Sequence, residues 1–173
     1  MKKIILMVAG LVLAAMPLRA GEPGEHTAYV GSAQFEKMKK LAGRWEGTGE
    51  MPKPGTSIVV EYKVVSGGSV VMETISPGTP HEMVTMYHDL NGKLCMTHYC
   101  MLGNQPKMEL KAQTEKGFKF DLAKGNDFNP KKDSHMHGLD LTFQDDDHIT
   151  QSWVMYEAGK AKMHAVFNLA RVK

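Results

Sequence analysis

A chain of 173 residues with 21 Lys and Arg against 19 Asp and Glu has a formal charge of +2, and its 42% apolar and 23% charged content is ordinary for a globular protein. Lys2, Lys3 and Arg19 fall in the first twenty residues, and without them the balance is 18 − 19 = −1. That near-neutral body, with no basic run beyond Lys37, Lys39 and Lys40, argues against a nucleic-acid partner; the length excludes a multidomain machine, and no segment after residue 20 is apolar enough to span a bilayer.

The chain opens with Met1-Lys2-Lys3, an apolar run over residues 4–16, and Pro17-Leu18-Arg19-Ala20. A positive start, a short apolar stretch and a small residue at the cut describe a secretory signal peptide cleaved after Ala20. No Cys follows that run, so the expected product is a soluble exported protein, placed in a periplasm. Residues 21–31 are polar and Gly-containing and read as a flexible segment; residues 32–173 read as a single domain. Ser32 can cap a helix over residues 33–41, whose Phe35, Met38 and Leu41 recur every three positions, and Gly43 ends it.

From there the text is β. Strands are expected at 44–51, 57–66, 69–76, 82–90, 93–102, 107–114, 117–123, 139–144, 148–157 and 161–172. Short turns join most of them: Gly67-Gly68, Asn91-Gly92, Glu115-Lys116, Asp145-Asp146-Asp147 and Gly159-Lys160. Alternation gives each strand one apolar face. Ile58, Val60, Tyr62 and Val64 share a parity, as do Met108, Leu110 and Ala112, then Phe118, Phe120 and Leu122, then Met163, Ala165, Phe167 and Leu169. Consecutive hairpins make an up-and-down antiparallel sheet, and ten strands left open would expose two edges. The expected fold is therefore all-β, a roughly ten-stranded antiparallel barrel with a short N-terminal helix. The one long irregular stretch, residues 124–138, reads as a lid or a solvent loop.

Leu41-Ala42-Gly43-Arg44-Trp45, with Gly47 and Gly49 behind it, resembles the lipocalin signature, in which a short helix precedes a Trp that plugs one end of the barrel. In that family an Arg late in the barrel packs over the Trp, and Arg171 stands in a comparable place. No second lipocalin motif is found between strands, and the last strand lacks the Arg-x-Tyr pair of fatty-acid-binding proteins. Met86-Tyr87-His88-Asp89, followed by Thr97-His98-Tyr99-Cys100-Met101-Leu102-Gly103-Asn104-Gln105-Pro106, resembles the lipocalin-like proteins of the DUF1579 family. The resemblance covers nearly all of the chain after residue 31. It implies a calycin-type barrel, in a neighbourhood whose members bind fatty acids, other apolar molecules or, in nitrobindin-like proteins, haem; fold is carried by such a likeness more firmly than function.

The Asn91-Gly92 turn sets a register in which Leu90 faces Lys93, His88 faces Cys95, Tyr87 faces Met96 and Thr85 faces His98. Of the two surfaces, that of Met83, Thr85, Tyr87, Leu94, Met96, His98, Cys100 and Leu102 is the more apolar and is assigned to the interior. His98 and Tyr87 then become polar groups in an apolar cavity, as in a pocket that orients a ligand, or else a core His bonded to a neighbouring Thr or Tyr. Cys95 and Cys100, five residues apart on one strand, are about 16 Å apart and on opposite faces, so no disulfide joins them.

Metal ligands could come from His88 with Cys95, from His98 with Cys100, or from His135-Met136-His137, and soft Met and Cys suit Cu(I). Non-covalent haem could use His98 or His164. Core filling accounts equally well for the Met residues. No nucleophile elbow, phosphate loop or metalloprotease helix appears, and Cys100 two residues from His98 lacks a third orienting group. The reading favours a non-catalytic barrel holding a small apolar or amphipathic molecule against Tyr62, Tyr87, Met96, His98, Trp153 and Phe167. A metal- or haem-binding redox protein built on His98 and Cys100 is the alternative, and the cofactor, if any, is left open.

Overall fold

The computed structural model describes residues 27–50 and 53–173; the signal-peptide reading of residues 1–20 lies outside them. The chain forms α1 (Ala33–Lys39) and ten strands, β1 (Gly43–Gly49), β2 (Thr56–Val65), β3 (Val70–Ile75), β4 (Met83–Leu90), β5 (Lys93–Tyr99), β6 (Lys107–Thr114), β7 (Gly117–Leu122), β8 (His135–Phe143), β9 (His148–Glu157) and β10 (Lys160–Arg171). Every neighbouring pair is antiparallel, and β1 pairs with both β2 and β10, so the sheet closes into a lipocalin-like barrel without an edge. Closure brings β1 and β10 unusually near: a Cβ on Gly47 would lie 1.9 Å from the Asn168 carbonyl oxygen. Only glycine fits there.

α1 is too short to persist alone and is held by what surrounds it. The Ser32 hydroxyl accepts from the Phe35 amide at 3.1 Å, Glu36 sits in the first turn, and Lys37 and Lys39 sit in the last. Ser32 is itself fixed to the barrel by its hydroxyl, which donates to Asp89 at 2.8 Å. Phe35 and Met38 are fully buried over one barrel mouth. Beneath them Trp45, also fully buried, donates its indole N–H to the Leu41 carbonyl at 2.8 Å. The Arg171 guanidinium lies 4.3 Å from the Trp45 ring and donates to the carbonyls of Ala42 and Lys40, both at 2.9 Å. One end is thereby plugged, as the Trp45 segment predicts.

The sequence-derived hairpin register is observed pair for pair, from Leu90↔Lys93 to Thr85↔His98. Most element ends fall within one or two residues of those expected, and three differences have a visible cause. The helix stops at Lys39, where Lys40 donates its amide back into the last turn, two residues short of the expected end. β5 stops at Tyr99, because Cys100 and Asn104 close a turn through a 3.1 Å backbone hydrogen bond. β8 begins at His135 rather than 139, since His135 and Met136 pair with Tyr156 and Met155 across a bulge that hides the alternation. Residues 135–138 therefore belong to the sheet. Residues 27–31 lie against the barrel, with the Tyr29 amide donating to the Gly67 carbonyl at 2.9 Å and its ring edge-on to Phe35.

Candidate functional site

Inward-facing side chains are stacked in layers along the barrel axis. Nearest α1 the filling is apolar, with Trp45, Leu94, Phe118 and Leu169 all buried. At mid-height the layer is polar: Glu73, Thr85 and Gln151 have no exposed surface, and Tyr62 and Tyr87 are buried beside them. These residues occupy inward parity positions on β2, β3, β4 and β9, which is why strand alternation brings them to one level.

Glu73 is the centre of that layer. The Gln151 side-chain amide donates to Glu73 and, at 2.5 Å, to the Tyr62 hydroxyl, while the Tyr87 hydroxyl donates to Glu73 Oε2 at 3.2 Å. Thr85, its cross-strand partner, and the Tyr62 hydroxyl stand beside the carboxyl and help to hold its pKa down. Burial pushes the Glu73 carboxyl above the usual carboxylate value and these donors push it back. Burial and the neighbouring carboxylate hold the Tyr62 and Tyr87 hydroxyls well above the ordinary phenol range, so both stay protonated and able to donate.

Above the polar layer, at the end away from α1, lies a cavity of about 200 Å³. Its walls are Ile75, Phe167 and Ala165, four methionines (Met83, Met136, Met155 and Met163), Cys100 and Leu102. His98 and Trp153 complete the lining, with ring centroids 4.7 Å apart. The polar layer orients both rings. His98 Nδ1 lies 2.9 Å from the Thr85 hydroxyl, and the Trp153 indole N–H donates to Gln151 Oε1 at 2.8 Å. His98 is only 1% exposed, and burial depresses its pKa to about 4, so the imidazole is neutral at any ordinary pH.

The residues expected from sequence divide between these levels. His98, Trp153 and Phe167 line the cavity, as do Cys100, Met83 and Leu102. Tyr62 and Tyr87 lie in the polar layer behind it, and Met96 is buried at the level of its partner Tyr87. Cys95 and Cys100 are both free thiols. The Cys95 thiol is 3.3 Å from His88 Nε2 on the outer face, but burial and the nearby Asp89 charge raise its pKa to about 11, and burial raises that of Cys100. Neither is a ready nucleophile. His135 and His137 hydrogen-bond to each other at 2.9 Å, and His137 stacks on Tyr156 with centroids 3.7 Å apart. Among the described residues, no group of three or more His, Cys, Asp or Glu side chains could hold a metal ion. Nor is any helix among them long and apolar enough to cross a membrane.

Glu73, Gln151 and Thr85 are absent from the sequence-derived site. The signal was present for the first two: Val71-x-Glu73-x-Ile75 and Ile149-x-Gln151-x-Trp153 each place one polar residue in an inward apolar row.

No family profile and no curated protein matches the sequence. Among solved structures, the chain is similar to Rv2717c from M. tuberculosis, with a TM-score of 0.53 and 15% identity over 83% of this chain and 100% of that one. At that identity the similarity carries the barrel fold alone.

Proposed function

We propose that this barrel is a non-catalytic receptor for one small apolar molecule, exported to the periplasm. The observation that carries the reading is the cavity of about 200 Å³ above the polar layer, apolar on nearly every side and fitted with one oriented imidazole. Pockets for drug-sized ligands run from roughly 300 Å³ upward, whereas an apolar cavity of about 150 Å³ already takes benzene. The occupant is accordingly the size of a single ring or a short branched chain. The four methionines adapt their shape at little cost in rotamer energy, which suits a site for related molecules rather than a single one. Export rests on the basic start, the apolar run and Ala20.

The test uses the protein carrying 13C in its methionine methyl groups, titrated with toluene and followed by NMR. The signals of Met83, Met136, Met155 and Met163 are expected to shift saturably while those of Met38 and Met108, fully buried elsewhere, stay in place. Equal shifts at all methionines, or none, would rule the cavity out as a binding site. Phe167→Trp, which fills the space, abolishes the shift. Mass measurement of the protein recovered from cells checks export: the expected chain begins at Gly21, and an intact Met1 end contradicts it.

A further inference from the structure

Resting on the cavity reading above, we infer that His135 and His137 form a proton-operated latch on the cavity mouth: by taking up one proton the pair fixes segment 128–134 and the adjoining Met136 wall. The two histidines flank Met136, which lines the cavity, and His137 is the extra residue of the β8 bulge, without a partner on β9. Phe128 packs on the fully buried His135 ring with centroids 4.8 Å apart, and Tyr156 stacks on His137.

The ring hydrogens can be counted. His135 Nδ1 lies 2.8 Å from the Asp133 carbonyl, which only accepts, so Nδ1 carries a hydrogen. His135 Nε2 and His137 Nδ1 are 2.9 Å apart and share one more, because two lone pairs would repel at that distance. Turning the His135 ring over would break both contacts. A neutral pair owns only those two hydrogens, which leaves His137 Nε2 as a bare lone pair 3.4 Å from Asp121 Oδ1. One further proton goes to that nitrogen whichever ring bears the charge, and it turns the one unfavourable contact into an ion pair. A second would set N–H against N–H between the rings, so there is room for one proton and not two.

The other charged or titratable groups around His137 are Lys119 on β7, Asp140 on β8 and His164 on β10, and Lys119 and Asp140 pair with each other at 3.5 Å. Burial holds His137 below its ordinary value of 6.5, with Asp121 pulling upward and His135 downward, so the proton enters on the acid side of neutrality. Its effect reaches the mouth through two hydrogen bonds. His135 holds the Asp133 carbonyl, and the carbonyl of the next residue, Ser134, accepts from Asn104 Nδ2 at 2.8 Å. Asn104 closes the turn whose Cys100 and Leu102 line the cavity. Protonated, the His137 ring is pinned between Asp121 and the Tyr156 face; neutral, it is released from Asp121, and His135 no longer faces a fixed donor.

The experiment takes the ligand-free protein with 15N in histidine and 13C in the methionine methyl groups and follows it by NMR from pH 8 to pH 4.5. His137 Nε2 is expected to pass from pyridine-like to protonated with a midpoint below 6.5, and the Met136 methyl signal to move with it while Met38 and Met108 stay in place. An Nε2 still bare at pH 4.5 overturns the inference. Glu73 also titrates above 4.5, and Asp121→Asn separates the two groups. The exchange keeps an oxygen for the Leu122 amide but removes the charge, so it lowers the His137 midpoint by about half a unit, and the Met136 midpoint should fall with it. A Met136 midpoint that ignores Asp121→Asn belongs to Glu73 and sinks the latch. With toluene bound, its exchange is expected to slow severalfold on passing below the midpoint, and an unchanged rate refutes the gating. Saturable toluene shifts at pH 8 decide the cavity reading by themselves; without them the wall movement guards nothing and the latch falls with that reading.

Discussion

Replacing Tyr87 by Phe tests the buried carboxylate with the least disturbance, because it removes one oxygen from a fully buried ring and nothing else. That oxygen donates to Glu73 Oε2 at 3.2 Å. A hydrogen bond to a charged group is worth about 1.5–3 kcal/mol, a neutral one about 0.5–1.5 kcal/mol, so the loss depends on whether Glu73 is ionised. The folded carboxyl titrates above its unfolded value of 4.5, because burial outweighs the donors. Between those two values the native state binds the extra proton, and stability falls as pH rises, by up to about 1.4 kcal/mol per unit. Removing a donor lifts the folded value further and extends that window upward. The difference between wild type and Tyr87→Phe is therefore smallest below pH 4.5, where the carboxyl is neutral in both states, and widens to about 2 kcal/mol above the folded titration. Urea unfolding from pH 4 to pH 8 reads it directly, with the slope against urea unchanged. A difference that is flat with pH, or larger at the acid end, would refute the charge on Glu73 as the centre of the layer.

Gly47→Ala drives a methyl into the Asn168 carbonyl and should cost about 3 kcal/mol or prevent closure, seen as a lower thermal midpoint with loss of near-ultraviolet dichroism. Arg171→Met removes the cation over Trp45 and two carbonyl hydrogen bonds, with an expected loss of about 2 kcal/mol in urea unfolding and a shift in indole emission. Thiol titration of the folded protein should give two free cysteines, with Cys95 reacting slowly at pH 8 and faster as pH approaches 11; a mass 2 Da lower, marking a disulfide, would contradict the structure.

Strand period and turn chemistry are properties of neighbouring residues, so the barrel was readable from them. The Asn91-Gly92 turn fixes its own register, and from Thr85↔His98 the inward face of two strands follows. β8 escaped because a bulge between Met136 and Gly138 interrupts the alternation, making His135 and His137 look like loop residues. The cavity residues His98, Trp153 and Phe167 could be named because each is large and falls on an inward parity. Glu73 could not be weighed from β3 alone. A buried carboxyl is plausible only once its donors are known, and these come from strands up to 78 residues away, as with Gln151. Tyr62 and Tyr87 read as ligand-facing for the same reason: period places them inside, but the height of a residue along the axis depends on the stagger of the closed sheet.

The seam between β1 and β10 joins Trp45 to Arg171, the first strand to the last. Hairpins from β2 to β9 can form in the order in which the chain is made, but the seam has to wait for β10. Until then both outer strands offer unpaired backbone to any neighbour, and the Trp45 end has no plug. A chain that stops within β10 would lose the plug and the seam together, so nascent or clipped molecules should be targets for proteolysis and self-association while the closed barrel is not. Closure of the barrel is in that sense self-proofreading: its tenth strand is the one that certifies the other nine.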